Sequence, residues 1–163
     1  MNALTKKTGL ITILLLVVLA LSAWFYVHKR QNQSFLKVNC STILRYNHQD
    51  PDFVATLDLV FRLNENHEGQ AVLSGNIHSE KGAKIISRTV LFSYEMDRPG
   101  EISIMNTRYV KTHRDTADEE SFKSSFFYVQ DGMVRQLRVE PSNNGWLIGN
   151  LQSPFALCVN RGG

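Results

Sequence analysis

A predominantly apolar run without a charged residue, LITILLLVVLALSAWFYV from Leu10 to Val27, constrains this chain more than any other feature. A helix that rises about 1.5 Å per residue needs about 20 residues to cross a hydrocarbon core of about 30 Å. Aromatic residues 24–26 lie at the end of the run, where rings prefer the headgroup level, and the charged residues 28–30 follow. The run therefore predicts one transmembrane helix.

The remaining length is enough for one folded domain with a single core. A cleaved signal peptide is the alternative to an anchor, because Ala20–Ala23 offers small residues to a peptidase. Against cleavage, apolar and aromatic residues continue beyond Ala23. The predicted organisation is a cytoplasmic N-terminus over 1–9, a transmembrane helix over 10–27, a linker over 28–34 and a periplasmic β-domain over 35–163.

Two cysteines, Cys40 and Cys158, lie near the two ends of this domain, each inside an alternating segment. If the first and last strands are neighbours, a disulfide between them would close a long loop, worth about 4–5 kcal/mol in the chain-entropy model. Such a bond persists outside the reducing cytoplasm. Two buried reduced thiols are the alternative. A disulfide would place the domain in the periplasm, with the chain crossing the inner membrane once and its N-terminus in the cytoplasm.

Period-two alternation runs through most of the domain and predicts β-strands. The clearest case places six apolar side chains on one face, Phe53, Ala55, Leu57, Leu59, Phe61 and Leu63. Similar segments cover 36–46, 70–78, 84–96 and 101–111, and a last pair covers 146–148 and 155–159. Asp131-Gly132 predicts a hairpin between 126–129 and 133–137. Thr112–Glu120 is polar and predicts a helical turn or an exposed loop.

These segments number about eight and leave no room for crossover helices. The predicted fold is mainly β, a small antiparallel barrel or sandwich behind the transmembrane helix. Lys6, Lys7, Lys29, Arg30 and Lys37 flank the apolar run, which explains much of the net charge of +3. With no basic stripe interleaved with aromatic residues, direct binding to nucleic acid is not expected.

Common catalytic signatures are absent from the sequence, which predicts that the protein is not an enzyme and needs no cofactor or metal. Three histidines precede an acidic residue by two positions, at His48, His78 and His113, and His67 lies in a polar turn. A nearby carboxylate stabilises the charged imidazolium, so these four histidines are candidate pH-sensing residues. Solvated loop ends are the alternative interpretation.

An apolar ligand pocket is the other candidate site. Small residues on the inward faces, Ala55, Ala71 and Gly75, could leave space between larger side chains. An ordinary packed core is the alternative, because interior residues of small barrels usually fill the space. The candidate pocket residues are Phe53, Leu57, Phe61, Leu73, Ile77, Val90, Phe92, Tyr94 and Phe127.

The layout of Lys-Lys, one anchor, Lys-Arg and a domain with an early FLKVNCSTILRY and a late FALCVN resembles a known group. It resembles the FidL-like and ToxS-like accessory proteins of enteric bacteria, including the PsaF and MyfF type. The resemblance implies a lipocalin-like barrel and a partner, a membrane-bound ToxR-like transcription regulator with a cytoplasmic winged helix. It also implies a response to a bile salt, a fatty acid or acidity.

The function expected from these observations is that of a non-enzymatic co-regulator, which binds and stabilises the regulator as a heterodimer through periplasmic domains. Two alternatives stay open at this stage. One is a stand-alone membrane-anchored periplasmic lipid-binding module, and the other is a structural subunit of an envelope assembly.

Overall fold

Alternating apolar residues form eight antiparallel strands in the computed structural model, which describes residues 13, 15–26, 36–48, 53–79, 82–123 and 127–161. Each strand pairs with the next, and the first also pairs with the last, so that the sheet closes into a barrel. The barrel is therefore confirmed over the sandwich. The strands are β1 (Val38–His48), β2 (Phe53–Leu63), β3 (Glu68–Ser79), β4 (Gly82–Arg98), β5 (Glu101–Lys111), β6 (Arg135–Ser142), β7 (Gly145–Gly149) and β8 (Pro154–Asn160).

The barrel interior is lined by one face of each long strand. The two faces of β2 differ clearly in burial. Leu57, Leu59 and Phe61 on one face are buried, whereas Thr56 and Asp58 on the other face are exposed. Each apolar side chain of this size contributes about 1.5–3 kcal/mol when it is removed from water. This burial fixes the register, since a slip by one residue would turn the apolar face outward.

A long connection joins β5 to β6 and contains a short helix, Glu119–Lys123. The predicted hairpin through Asp131-Gly132 is wrong, because β6 begins only at Arg135. A turn does form there, with Gly132 at a φ of 75°. Val129 nevertheless exchanges hydrogen bonds of 2.7 and 2.8 Å with the Tyr109 hydroxyl. Asp131-Gly132 thus predicted the turn correctly. The backbone of Val129 bonds to the Tyr109 side chain on β5 in place of the predicted strand pairing.

The chain divides into two units, Met1–Ser34 and Phe35–Gly163. In the first unit, residues 15–26 are α-helical with exposed apolar side chains. Within the described residues no helix is both long and apolar enough to cross a membrane. Residues 10–12, 14 and 27 of the predicted span lie outside the described residues, as do 1–9 and 28–34. The transmembrane helix and its flanking segments therefore stay predictions.

Candidate functional site

The barrel closes along a narrow seam between β1 and β8. Among the described residues only Cys40 and Ser41 of β1 pair with β8. Cys40 and Cys158 form a disulfide across this seam, with an S–S distance of 2.05 Å and both residues fully buried. The predicted disulfide is confirmed. It joins strands whose cysteines are 118 positions apart in sequence, so it ties the first strand covalently to the last.

Past the seam, the outer edge of β1 has no strand partner among the described residues. The Arg161 N–H donates to the Asn39 carbonyl at 3.0 Å, which shows that Asn39 directs its backbone groups toward β8. Because alternate residues of a strand bond to opposite sides, Ile43 and Arg45 direct theirs to the open side. The Ile43 side chain is 69% exposed. An extended chain could therefore add a strand at this edge.

All nine predicted pocket residues meet inside the barrel. Eight of them belong to the buried core and Phe53 packs against it. The Phe61 ring lies 6.0 Å from the Phe92 ring and 6.4 Å from the Phe127 ring, measured between centroids. The sequence therefore selected residues that do come together, and in this structure they pack against one another. Binding of a ligand between them stays a prediction.

The small residues that could have left space lie against neighbouring atoms. Ala55 and Ala71 are buried in the core. A Cβ added at Gly75 would collide with the backbone of Thr56, and one added at Gly69 would collide with the Phe92 ring. Glycine at these positions admits a neighbouring backbone or an aromatic ring, so its small size serves packing.

The four candidate histidines lie at separate positions. His67 is in the β2–β3 turn at a φ of 62°, and its Nδ1 is 3.2 Å from the Tyr94 carbonyl oxygen. His78 is exposed on β3 and His113 is exposed just after β5. The side chain of His48 lies outside the described residues. A pH-sensing role for these residues stays a prediction.

His67 and Tyr94 lie where the chain enters the barrel. Their rings are 5.6 Å apart, and the Tyr94 hydroxyl donates to the Asn64 carbonyl at 2.7 Å and lies 3.3 Å from the Leu36 carbonyl. The pKa of Tyr94 is raised, mainly because burial disfavours the charged phenolate. The hydrogen bond to the Leu36 carbonyl acts in the opposite direction, and the charge of Glu65 adds to the rise. Tyr94 thus ties the start of the domain to the β2–β3 turn.

A buried ion pair inside the barrel was missed by the sequence analysis. Arg88 on β4 faces inward, and its Nε donates to Asp115 Oδ2 at 2.8 Å with neither side chain exposed. Its Nη2 donates to the Ala117 carbonyl at 2.6 Å, and its guanidinium lies 4.2 Å from the centre of the Phe122 ring. Asp115, the acidic residue two positions after His113, is therefore a buried partner of Arg88. The signal was present, because Arg88 shares the parity of the inward-facing residues of β4.

Carboxylates around Arg88 are held in their charged form. Burial favours the neutral form of Asp115, but hydrogen bonds from Arg88 and the Ser87 N–H, with the positive charges nearby, outweigh it and lower its pKa. For Glu119 the largest cause is a hydrogen bond from Lys111, with an Nζ–Oε1 distance of 2.6 Å, and its pKa is also lowered. The network therefore persists at neutral pH.

Aromatic residues extend this network. Tyr109 stacks on Tyr128 with ring centroids 5.8 Å apart, and Phe122 meets Tyr109 edge-on at 5.3 Å. Through these contacts Tyr109 on β5 holds Phe122 in the short helix and Tyr128 further along the connection. Among the residues that the structure describes, no three His, Cys, Asp or Glu side chains cluster closely enough to hold a metal ion.

A family profile described as "FidL-like putative membrane protein" matches residues 75–158, just over half of the chain. The chain belongs to the FidL-like family. In this FidL-like protein the matched region runs from β3 to β8 and includes Arg88, Asp115 and Cys158. The resemblance to FidL-like proteins is thereby confirmed. No curated protein and no solved structure gives a significant match.

Proposed function

We propose that this FidL-like protein is a non-enzymatic co-regulator whose barrel binds and stabilises a membrane-bound ToxR-like winged-helix transcription activator. The family match over residues 75–158 carries this proposal, because the resemblance to FidL-like and ToxS-like accessory proteins implies such a partner. Stabilisation here means that the regulator unfolds or is degraded more slowly when the two periplasmic domains are associated.

The location that this role requires is supported by the disulfide and the apolar run. A disulfide between Cys40 and Cys158 persists in an oxidising compartment such as the periplasm. An anchor over residues 10–27 would hold the protein in the inner membrane with its N-terminus in the cytoplasm. Two proteins confined to one membrane meet at a high effective concentration, so the contact between their domains can be weak.

The contact itself is supported by the open edge of β1. Unpaired N–H and C=O groups at Ile43 and Arg45 can accept a strand from a partner, and the exposed Ile43 side chain adds apolar area beside them. The disulfide at Cys40, three residues before Ile43, ties β1 to β8, so the edge is held in place before the partner binds. Such preorganisation lowers the entropy cost of binding.

The signal in this proposal is a bile salt, a fatty acid or mild acidity. The family resemblance implies these signals. An apolar ligand would displace the packed side chains around Phe61 and Phe92, and the histidines are the candidate residues for a response to acidity. A titration of the intact complex with bile salts, a fatty acid and a hydrophobic dye tests the ligand. Absence of saturable binding would leave acidity as the remaining signal.

Co-purification from detergent-solubilised membranes tests the partner. The tagged FidL-like protein should recover a winged-helix membrane regulator. Deletion of the gene for the FidL-like protein should make that regulator disappear from immunoblots. Recovery of bound lipid without a protein would instead indicate a stand-alone lipid-binding module. Recovery of several envelope components would indicate a structural subunit. Either of these results contradicts the proposal.

Two variants at one position test the edge. Ile43→Pro removes a backbone donor on the open side and leaves the ladder to β2 intact, because Ile43 bonds away from β2. Ile43→Thr keeps the donor and the β-branched shape. We expect Ile43→Pro to abolish co-purification and Ile43→Thr to retain most of it. Equal retention by both variants would exclude strand addition at this edge.

A further inference from the structure

The connection between β5 and β6 takes over the edge of β4 where β5 ends. The Thr112 N–H donates to the Ser87 carbonyl at 3.0 Å, and the Ala117 N–H donates to the Ile85 carbonyl at 3.1 Å. Between them, Asp115 Oδ2 accepts from the Ser87 N–H at 3.0 Å. A polar segment therefore completes the backbone pairing of β4 at Ile85 and Ser87.

The same connection supplies side chains to the barrel core. Phe122 is fully buried, and Phe127 is 4% exposed. Phe127 approaches Phe61 on β2, on a different part of the barrel wall. Part of the interior is thus filled by residues that belong to the connection and not to a strand.

The buried charge of Arg88 requires carboxylates that the connection supplies. Arginine stays protonated at all pH values relevant to proteins, so its charge must be balanced wherever it is buried. Among the described residues, the carboxylates that pair with Arg88 are Asp115 and Glu119, and both are on the connection. The strand that carries Arg88 therefore depends on the connection for the charge balance of the barrel interior.

We propose that the segment Thr112–Lys123 is a latched plug of the barrel, in which the Arg88–Asp115 pair is the latch. In the closed state the latch keeps Phe122 in the core. In the open state the segment leaves, and the barrel wall surrounds an apolar chamber with one positive charge at Arg88. The eight strands and the disulfide stay paired in both states, and departure of the segment uncovers the edge of β4 at Ile85 and Ser87. This inference stands independently of the proposed regulator.

Amide hydrogen exchange of the full chain in detergent, followed by mass spectrometry, tests the latch. Asp115→Asn should speed exchange in peptides within residues 112–123 by about tenfold or more, since it leaves a buried charge unpaired. Exchange in β1–β3 should stay at the wild-type rate. The control is Glu101→Gln, which breaks a partly exposed pair with Arg138 at 3.0 Å on the wall and should leave residues 112–123 unchanged.

A second variant separates a latch from general damage. Arg88→Met with Asp115→Asn removes both charges and keeps a side-chain oxygen that can accept from the Ser87 N–H. We expect this double variant to restore slow exchange in residues 112–123. The anionic dye ANS should bind Asp115→Asn, where the chamber and Arg88 are uncovered, and should not bind the double variant.

Three results would overturn the proposal. The first is unchanged exchange in residues 112–123 of Asp115→Asn, and the second is an equal rise over the whole barrel. The third is fast exchange of the segment in a folded double variant. If Asp115→Asn does not fold, Glu119→Gln replaces it, because the Glu119 side chain is 60% exposed and Asp115 is retained. A local rise of about twofold is then expected, and no rise rejects the latch.

Discussion

Arg88 and Asp115 form an ion pair 2.8 Å long in which neither side chain is exposed to solvent. The pair is also bonded to backbone groups, at the Ala117 carbonyl and the Ser87 N–H. In such a setting the attraction between the charges mainly offsets a large desolvation cost, so the intact pair adds little net stability. Loss of either partner exposes that cost.

Arg88→Met and Asp115→Asn are each expected to lower the free energy of unfolding by about 3–5 kcal/mol, because each leaves one buried group without its partner. Arg88→Met combined with Asp115→Asn should cost far less than the sum of the two single variants. Urea titrations of the four proteins measure this coupling. Additive costs would show that the two residues do not act as a pair.

Acidification should weaken this network only at low pH. The lowered pKa values of Asp115 and Glu119 mean that both favour the folded state while ionised. Their contribution is complete above the pKa of the unfolded carboxyls, about 4, and is lost as pH falls through the lower folded values. The urea concentration at the midpoint of unfolding should therefore decrease as pH is lowered below about 4. The fall should be smaller in Asp115→Asn, and an identical fall would contradict the assignment.

The histidine hypothesis predicts a response in a different range. Unperturbed imidazole titrates near pH 6.5, well above the carboxylates. Replacement of all five histidines by Gln, His28 included, should remove any change in partner binding or stability between about pH 5 and 7. Binding measured at both pH values provides the test. If the response is unchanged in this variant, the histidines are not the sensor.

The disulfide should carry much of the stability of the barrel. Cys40→Ala with Cys158→Ala opens a loop with a sequence separation of 118. We expect a loss of about 4–5 kcal/mol in the free energy of unfolding, from the greater entropy of the unfolded chain. Reductant should destabilise the wild type by a similar amount and leave the double variant unaffected. Sensitivity of the double variant to reductant would point to another cause.

Packing of Phe92 over Gly69 gives a sharp test of the core. Gly69→Ala places a methyl group where the Phe92 ring lies. Overpacking of this kind costs about 1–3 kcal/mol. Ser74→Ala, at an exposed position of the same strand, is the matched control and should change the midpoint of thermal unfolding little. Equal midpoints for both variants would show that the ring moves aside freely.

Much of the barrel was predictable from the sequence because strands leave a local record. Alternation in segments such as 53–63 and 84–96 placed their apolar faces correctly, since one side of each strand faces the core. All the predicted pocket residues consequently lie in or against that core. A disulfide between Cys40 and Cys158 was predicted on the condition that the two end strands are neighbours, and the closed barrel meets this condition.

The long connection was not predictable in the same way. Met133 and Val134 look like strand residues and yet are 60% and 56% exposed before β6 begins. Val129, which precedes them, is held by the Tyr109 side chain, and Asp115 at the start of the connection is held by Arg88. Both of these side chains belong to strands and are distant in sequence from the groups that they bind. The sequence by itself determined strand periodicity, the turn at Gly132 and the pairing of the cysteines. Only the tertiary structure decided that a polar segment enters the core, because the charge that holds it there comes from another strand.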